Sequence, residues 1–402
     1  MAASWAQMLE YDRSFLMRTE PMPLYSEVPE HRDYNLKWGP VTGRIFGSMQ
    51  IEYSDNINLA EHGAESDIYF YPNFGIGFQW PISPQNTLDF DIGAGYRIYT
   101  KHSNLDTLQI APDTKLLYRM RAGKVNLVFH DSVYLQVDPL SRPDLSGTNS
   151  SPILDFKRLN NDVGLQAEWQ ARSNLSVVGG YDYLIDRTLN SEFSSLDRDD
   201  HTLAIGTYST VGSAWTVGGS AAVTLSEYLR HIQNDGVSYS IGPQATVKIT
   251  KFISADASLS YTRSVYDHNG TIADRSDFSG ISYSLGVKHN MSSRASQNLR
   301  VAHSITPGYG SNFDELTVVQ YGINWRMNSF LSINSTFSYE NLRASGAAGE
   351  HADRYLWYVG TGWQIARRWN LGVGYSFAWK DSNQPLRDYT QNRVTLDLTH
   401  EF

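Results

Sequence analysis

Asp89 and Asp91 stand two residues apart in "LDFDIGAGYRIY", the stretch Leu88–Tyr99. In an extended chain this spacing puts both carboxylates on one face, about 7 Å apart by strand rise alone. Paired carboxylates can do general acid–base work, and they can equally hydrate a wall. Other candidates for chemistry thin out quickly. The 11 histidines contain no H-E-x-x-H and no clustered metal-ligand spacing. Cysteine is absent, which excludes disulfides and thiolate metal sites. The triplets Gly75-Ile76-Gly77, Gly93-Ala94-Gly95 and Gly372-Val373-Gly374 lie within extended stretches, whereas a dinucleotide loop needs a strand-to-helix turn. A Ser–His hydrolytic pair would form in space rather than in sequence, and no serine stands apart from the rest. No metal and no cofactor are expected, and the net charge of −9 argues against a nucleic-acid binder.

The elements that carry these residues decide which reading holds. In Leu88–Tyr99 the positions alternating with the aspartates are Leu88, Phe90, Ile92, Ala94, Tyr96 and Ile98. The same alternation runs through "IYFYPNFGIGFQW" (Ile68–Trp80), "VSYSIGPQATVKI" (Val237–Ile249) and "WNLGVGYSFAWK" (Trp369–Lys380). Period-two patterning sustained this long argues strand. About eighteen such segments run from Arg44 to Phe402, each of roughly 10 residues or more, the length a tilted strand needs to cross a bilayer. The mean hydropathy of −0.40 does not contradict this, because a membrane barrel alternates apolar and polar residues and so looks ordinary on average. The 25 tyrosines and 10 tryptophans suit aromatic girdles. Short connectors such as "RAGK" and "VGSA" interleave with longer polar ones such as "LNSEFSSLDRDD" and "KDSNQPLRD". The pattern predicts an all-β chain: a single transmembrane antiparallel up-and-down β-barrel of about 18 strands, with about 16 as the alternative. Short turns and both termini then face the periplasm and long loops face outward.

Residues 1–43 lack the alternation and are expected to form a periplasmic lead-in, or else a plug inside the lumen, with the barrel occupying 44–402. "MAASWAQ" lacks the basic start and apolar middle of a secretory signal; Ala2, Ala3, Ser4 and Ala6 suit the cleavage end of a truncated one, and an ordinary cytosolic start is the other option. Pro72, Pro112 and Pro243 fall on the outward face and read as bulges. Asp131 and His303 also fall outward, through a register shift or a position near an interface. "MSSRASQ" reads as the longest of the short turns.

The inward face is the expected functional surface. It carries Asp89, Asp91, Arg97, Asp113, Lys115, Arg119, Arg158 and Asp162 in the first half, and Lys248, Lys288, Arg300, Arg326, Arg354, Lys380 and Arg393 in the second. A mixed, acid-leaning wall would face a basic one, and such walls tune what a pore passes. Alternatively the charges pair across the lumen and hydrate it, with Asp113/Lys115/Arg119 and Arg158/Asp162 as the expected sets. The loop around Pro139–Pro152 either folds inward as a constriction or stays outside. Trp80, Trp215, Trp325, Trp357, Trp363, Trp369 and Trp379 are the expected interfacial anchors.

Two stretches carry resemblances. "NRVTLDLTHEF" ends the chain on Phe402 and resembles the C-terminal signal read by the outer-membrane barrel assembly machinery. "GPVTGRIFGSMQIEYSDNINL" (Gly39–Leu59), with Tyr53-Ser54-Asp55-Asn56-Ile57 in place of the common "YDDN" plus aliphatic, resembles the first strand of outer-membrane porins of the β-barrel porin 2 type, as do "IYFYPNFGIGFQW" and "YRIYTKHSNLD" after it. The likeness is best over residues 39–140. It implies a bacterial outer-membrane conduit linked to exopolysaccharide export, with a periplasmic export partner and with outer-membrane lipid and lipopolysaccharide around it. A basic wall favours an anionic polysaccharide as cargo. The alternatives are a general small-solute porin and, from another class, an outer-membrane lipid-modifying or hydrolytic enzyme. The family's motifs are structural and imply no catalytic residues.

Overall fold

The computed structural model describes residues 34–111, 114–145, 156–347 and 349–402. Asp113 and Pro112, most of the 1–43 segment and residues 146–152 of the Pro139–Pro152 loop lie outside them. Among the described residues the strands run β1 (Leu36–Trp38), β2 (Val41–Ser54), β3 (Asp67–Ser83), β4 (Asn86–Tyr99), β5 (Thr107–Ile110), β6 (Lys115–Ala122), β7 (Val125–Gln136), β8 (Arg158–Arg172), β9 (Leu175–Thr188) and β10 (Arg198–Val211). They continue as β11 (Trp215–Tyr228), β12 (Gly236–Lys248), β13 (Ile253–Tyr266), β14 (Phe278–Asn290), β15 (Ala295–Thr306), β16 (Asp314–Arg326), β17 (Leu331–Ala344), β18 (His351–Ala366), β19 (Trp369–Ser382) and β20 (Tyr389–Glu401).

Apart from β5 and β6, each strand pairs antiparallel with its sequence neighbour, and β2 pairs with β20 from Phe46 opposite Glu401 to Ser54 opposite Arg393. The sheet therefore closes on itself from the first stave to the last, the condition for standing in lipid. The short β1 folds back on β2, and β5 and β6 are pieces of one stave, both paired with β4. What remains is an 18-stave barrel. Its wall begins at Val41, a few residues before the expected Arg44.

Side-chain direction follows the alternation. On β19, Trp369, Val373 and Trp379 are exposed on the outer face while Gly372, Gly374, Ala378 and Lys380 are buried on the inner one. An outer surface of Leu203, Ile205, Ile241, Leu259 and Leu285, all about half exposed or more, belongs in hydrocarbon rather than water.

Two of the three prolines are not bulges. Around Pro72 the β3–β4 register runs from Phe70 opposite Ile98 to Asn73 opposite Gly95 with no residue inserted. Around Pro243 it runs from Ile241 opposite Tyr261 to Gln244 opposite Ser258, again unshifted. Each proline leaves the ladder one N–H donor short without changing register. Along β4 the register differs between its two partners, Ala94 facing Ile110 and Asp91 facing Lys115; the bulge expected at Pro112 lies outside the described residues. The turn between Asn290 and Ala295 is no longer than those between Lys248 and Ile253 or Arg326 and Leu331. Asp131 faces outward in unbroken register and accepts a 2.7 Å hydrogen bond from Asn161 of the next strand. His303 lies near the loop end, where its Nδ1 is 2.9 Å from Thr317 Oγ1.

The seam between the first and last staves is tied by the "SDN" residues. The Asp55 carboxylate accepts from the Asn392 backbone N–H (2.7 Å) and side chain (2.6 Å). Asn56 donates to the carbonyls of Ala60 and Thr390, both at 2.9 Å.

Candidate functional site

The loop that leaves β7 turns into the lumen. Asp138 caps a short helical turn, Pro139–Ser141, by accepting from Leu140 N–H at 3.0 Å. Its carboxylate is then gripped by both terminal nitrogens of Arg393 on β20, at 2.7 and 3.0 Å. Leu140 packs with lumen-facing Leu356, Ala378 and Tyr389 and with Leu59, and its carbonyl accepts from Arg354 on β18 at 2.7 Å. Arg142, paired with Asp144, donates to the Pro307 carbonyl at 3.2 Å. Leu145 joins Phe156, Phe193 and Leu196 in an apolar cluster. Of the two expectations for this loop, the described part takes the inward one. Burial opposes ionisation of Asp138, but Arg393 outweighs it and holds the carboxyl down at about 2.

Other long loops knit together above it. Asp274 accepts from Asn312 N–H (2.8 Å), Ser276 N–H (2.9 Å) and the Ser345 hydroxyl. Burial pushes against its charge, and those donors still hold it below the ordinary carboxylate range. Asn234 donates to the Asp274 carbonyl and to Asn312.

The expected lumen charges pair, but with other partners. Arg119 meets Asp89, and its expected partner Asp113 lies outside the described residues. Arg158, only 1% exposed, takes Asp186 at 2.8 Å plus the carbonyls of Phe193 and Leu196, not Asp162. Asp91 lies opposite Lys115 on the same face. The basic wall of the second half is neutralised at its loop end: Arg354 pairs with Glu340, Lys380 with Glu350 at 2.9 Å, and Arg393 with Asp138 and with Glu52 at 3.7 Å. Two of these acids, Asp138 and Glu350, come from loops. Alternation along strands cannot reveal them. Lys288 and Arg300 line a side cavity of about 420 Å³ together with Asp256. Lys248 is exposed at the turn end of β12. Arg326 sits at the turn-side rim and donates to the Ser293 carbonyl at 3.2 Å.

A larger cavity of about 1330 Å³ spans the lumen between the turn-side residues, such as Arg294 and Asn328, and the Asp138–Ser141 segment. Arg97 lines it. Its guanidinium lies over the Tyr69 ring at 4.3 Å and makes long contacts of 3.4 Å to Tyr99 and Gln109. Among the described residues it has no carboxylate in ion-pair contact, unlike Arg354 and Arg393 nearby.

Trp80, Trp215, Trp325, Trp363 and Trp369 point outward near the turn end, Trp379 near the loop end, and Trp357 nearer mid-strand with Ser335 as its acceptor. Phe402 donates its N–H to the Ile45 carbonyl at 3.1 Å across the seam.

The sequence matches no family model and no curated protein, so the β-barrel porin 2 likeness is not carried by any such match. Solved barrels do match in fold. Pseudomonas aeruginosa OpdQ superposes with a TM-score of 0.51 at 11% identity, covering 90% of this chain and 99% of that one. Pseudomonas aeruginosa OpdK, solved with vanillate, gives 0.50 at 8% identity over 90% and 99%. OccK2 (OpdF) of the same organism, in complex with glucuronate, gives 0.50 at 8% over 90% and 98%. At such identity the likeness is one of fold: a closed antiparallel barrel.

Proposed function

We propose that the protein is a passive channel of the bacterial outer membrane for small anionic solutes. One observation carries this: the lumen keeps a cavity of about 1330 Å³ below an inward-folded loop, and Arg97 faces it without a carboxylate in contact. A guanidinium in a confined, partly desolvated space attracts a carboxylate far more strongly than one in bulk water. Arg354, Lys380 and Arg393 are taken up by carboxylates of the wall and loops, so Arg97 adds positive charge to the cavity at its loop side. Two barrels of like fold hold vanillate and glucuronate, each a small carboxylate. The polysaccharide reading rests on sequence likeness and on the expected basic wall, whereas the loop that enters the lumen favours the smaller cargo. Lipid and lipopolysaccharide around the apolar belt, and the assembly machinery acting on Phe402, belong to this proposal, as does a periplasmic placement of the termini.

The test is conductance of the purified protein in planar bilayers. Discrete openings with anion preference are expected, and Arg97→Gln should reduce that preference while leaving the folded barrel intact. Absence of any conductance, or of small-solute uptake into proteoliposomes, would overturn the channel. Passage of oligosaccharide with exclusion of monocarboxylates would return the cargo to polysaccharide.

A further inference from the structure

His130 on β7, Gly164 on β8 and Asp182 on β9 lie side by side across the wall, all facing the lumen. Gly164 leaves the gap in which the outer two meet. A Cβ there would collide with the Asp182 carboxylate and with the His130 ring, whose Cε1 would be 2.5 Å away. Asp162, two residues before Gly164 on the same face, completes the group. Both carboxylates converge on one atom, His130 Nε2: Asp182 Oδ1 is 3.1 Å from it and Asp162 Oδ1 is 3.9 Å. One donor atom from each of the three residues lies within 4.8 Å of the others.

We infer that His130, Asp162 and Asp182 bind a divalent transition-metal ion such as Zn²⁺ on the lumen wall. A proton on Nε2 points along one line and serves one carboxylate well; a cation bonds all three donors at once. With metal bonds of about 2.0–2.2 Å, tetrahedral ligand atoms stand roughly 3.3 Å apart, and the observed separations bracket that. One imidazole with two carboxylates is a donor set suited to zinc rather than to calcium or magnesium, which prefer all-oxygen shells. Leu117 and Val128, lumen-facing and buried beside His130, dry the surroundings. Asp162 is the most exposed of the three, with 20% of its side chain open, so the remaining coordination position opens on its side. The ion would tie β7, β8 and β9 together at mid-height and offer that position to water or to a carboxylate.

The folded full-length barrel in detergent, stripped with a chelator and titrated with Co²⁺, tests this. One Co²⁺ per chain is expected, with visible d–d bands that Zn²⁺ abolishes by displacement. Removing outer-shell partners typically weakens metal binding by about 10–100-fold, so losing a ligand in His130→Ala should weaken it by about 100-fold or more. Asp162→Asn, at the most exposed ligand, should cost at least about tenfold and covers the case in which His130→Ala does not fold. His303→Gln, on the outer face, should bind like the parent. Absence of saturable binding, or equal affinity in His130→Ala or Asp162→Asn, would overturn the site and leave a metal-free His–Asp arrangement only.

Discussion

The two ends of the barrel are built from the same strands and behave as different materials. At the loop end, Lys380 is fully buried against Glu350, Arg354 is 2% exposed against Glu340, and Arg393 holds Asp138 from across the lumen. At the turn end Lys248, Lys288 and Arg326 are exposed. These turns satisfy their backbone locally, as Gly123 does with its φ of 61° in the turn between β6 and β7. The difference teaches that a charge on the inner face has two possible jobs. Buried against a loop it locks the cap, and solvated near the rim it conditions the path.

That contrast can be broken deliberately, and the cap should give the largest effect. Glu350→Gln takes away the carboxylate that Lys380, Arg387 and Ser382 share. Breaking a buried pair from one side typically costs about 3–5 kcal/mol, and urea titration read by the gel shift of the folded barrel should show a loss of that order. A result within error of the parent would mean that the loop end is as solvated as the turn end. Replacing residues 138–144 by a short Gly-Ser link should raise single-channel conductance, since the loop crosses the lumen; unchanged conductance would remove its role as a constriction.

Acid should produce a milder form of that opening. The folded Asp138 carboxyl lies at about 2, below its ordinary 3.8. A lowered value contributes stability that is present above 3.8 and is lost as pH falls through about 2. Conductance should therefore rise reversibly between those limits, and Asp138→Asn should show the open level at neutral pH. The smallest effect belongs to the rim. Arg326→Gln should change stability by less than about 0.5 kcal/mol, as surface substitutions do, and reduce anion preference less than Arg97→Gln does in the same bilayer recordings. An Arg326 effect as large as that of Arg97 would erase the distinction between rim and constriction.

Much of this was legible in the residues. Alternation located the staves and assigned Trp369 and Lys380 to opposite faces, because a strand's side-chain period is a local property. The interleaving of short and long connectors separated the two ends. The pairing of Arg158 was not legible: Asp162 is near in sequence, but Asp186 on the next stave is the neighbour in space. The His130, Asp162 and Asp182 group was hidden for the same reason, its members being brought together by register over Gly164.

By itself, then, the sequence determined an all-β closed wall, its apolar outside and polar inside, and which connectors were long. Only the tertiary structure decided that the segment after Gln136 enters the lumen, and that Asp138 neutralises an arginine 255 residues further along the chain. The physical reason is range. Faces follow from the geometry of neighbouring residues, whereas a loop's destination depends on partners such as Arg393, Arg354 and Leu356 that only barrel closure brings within reach.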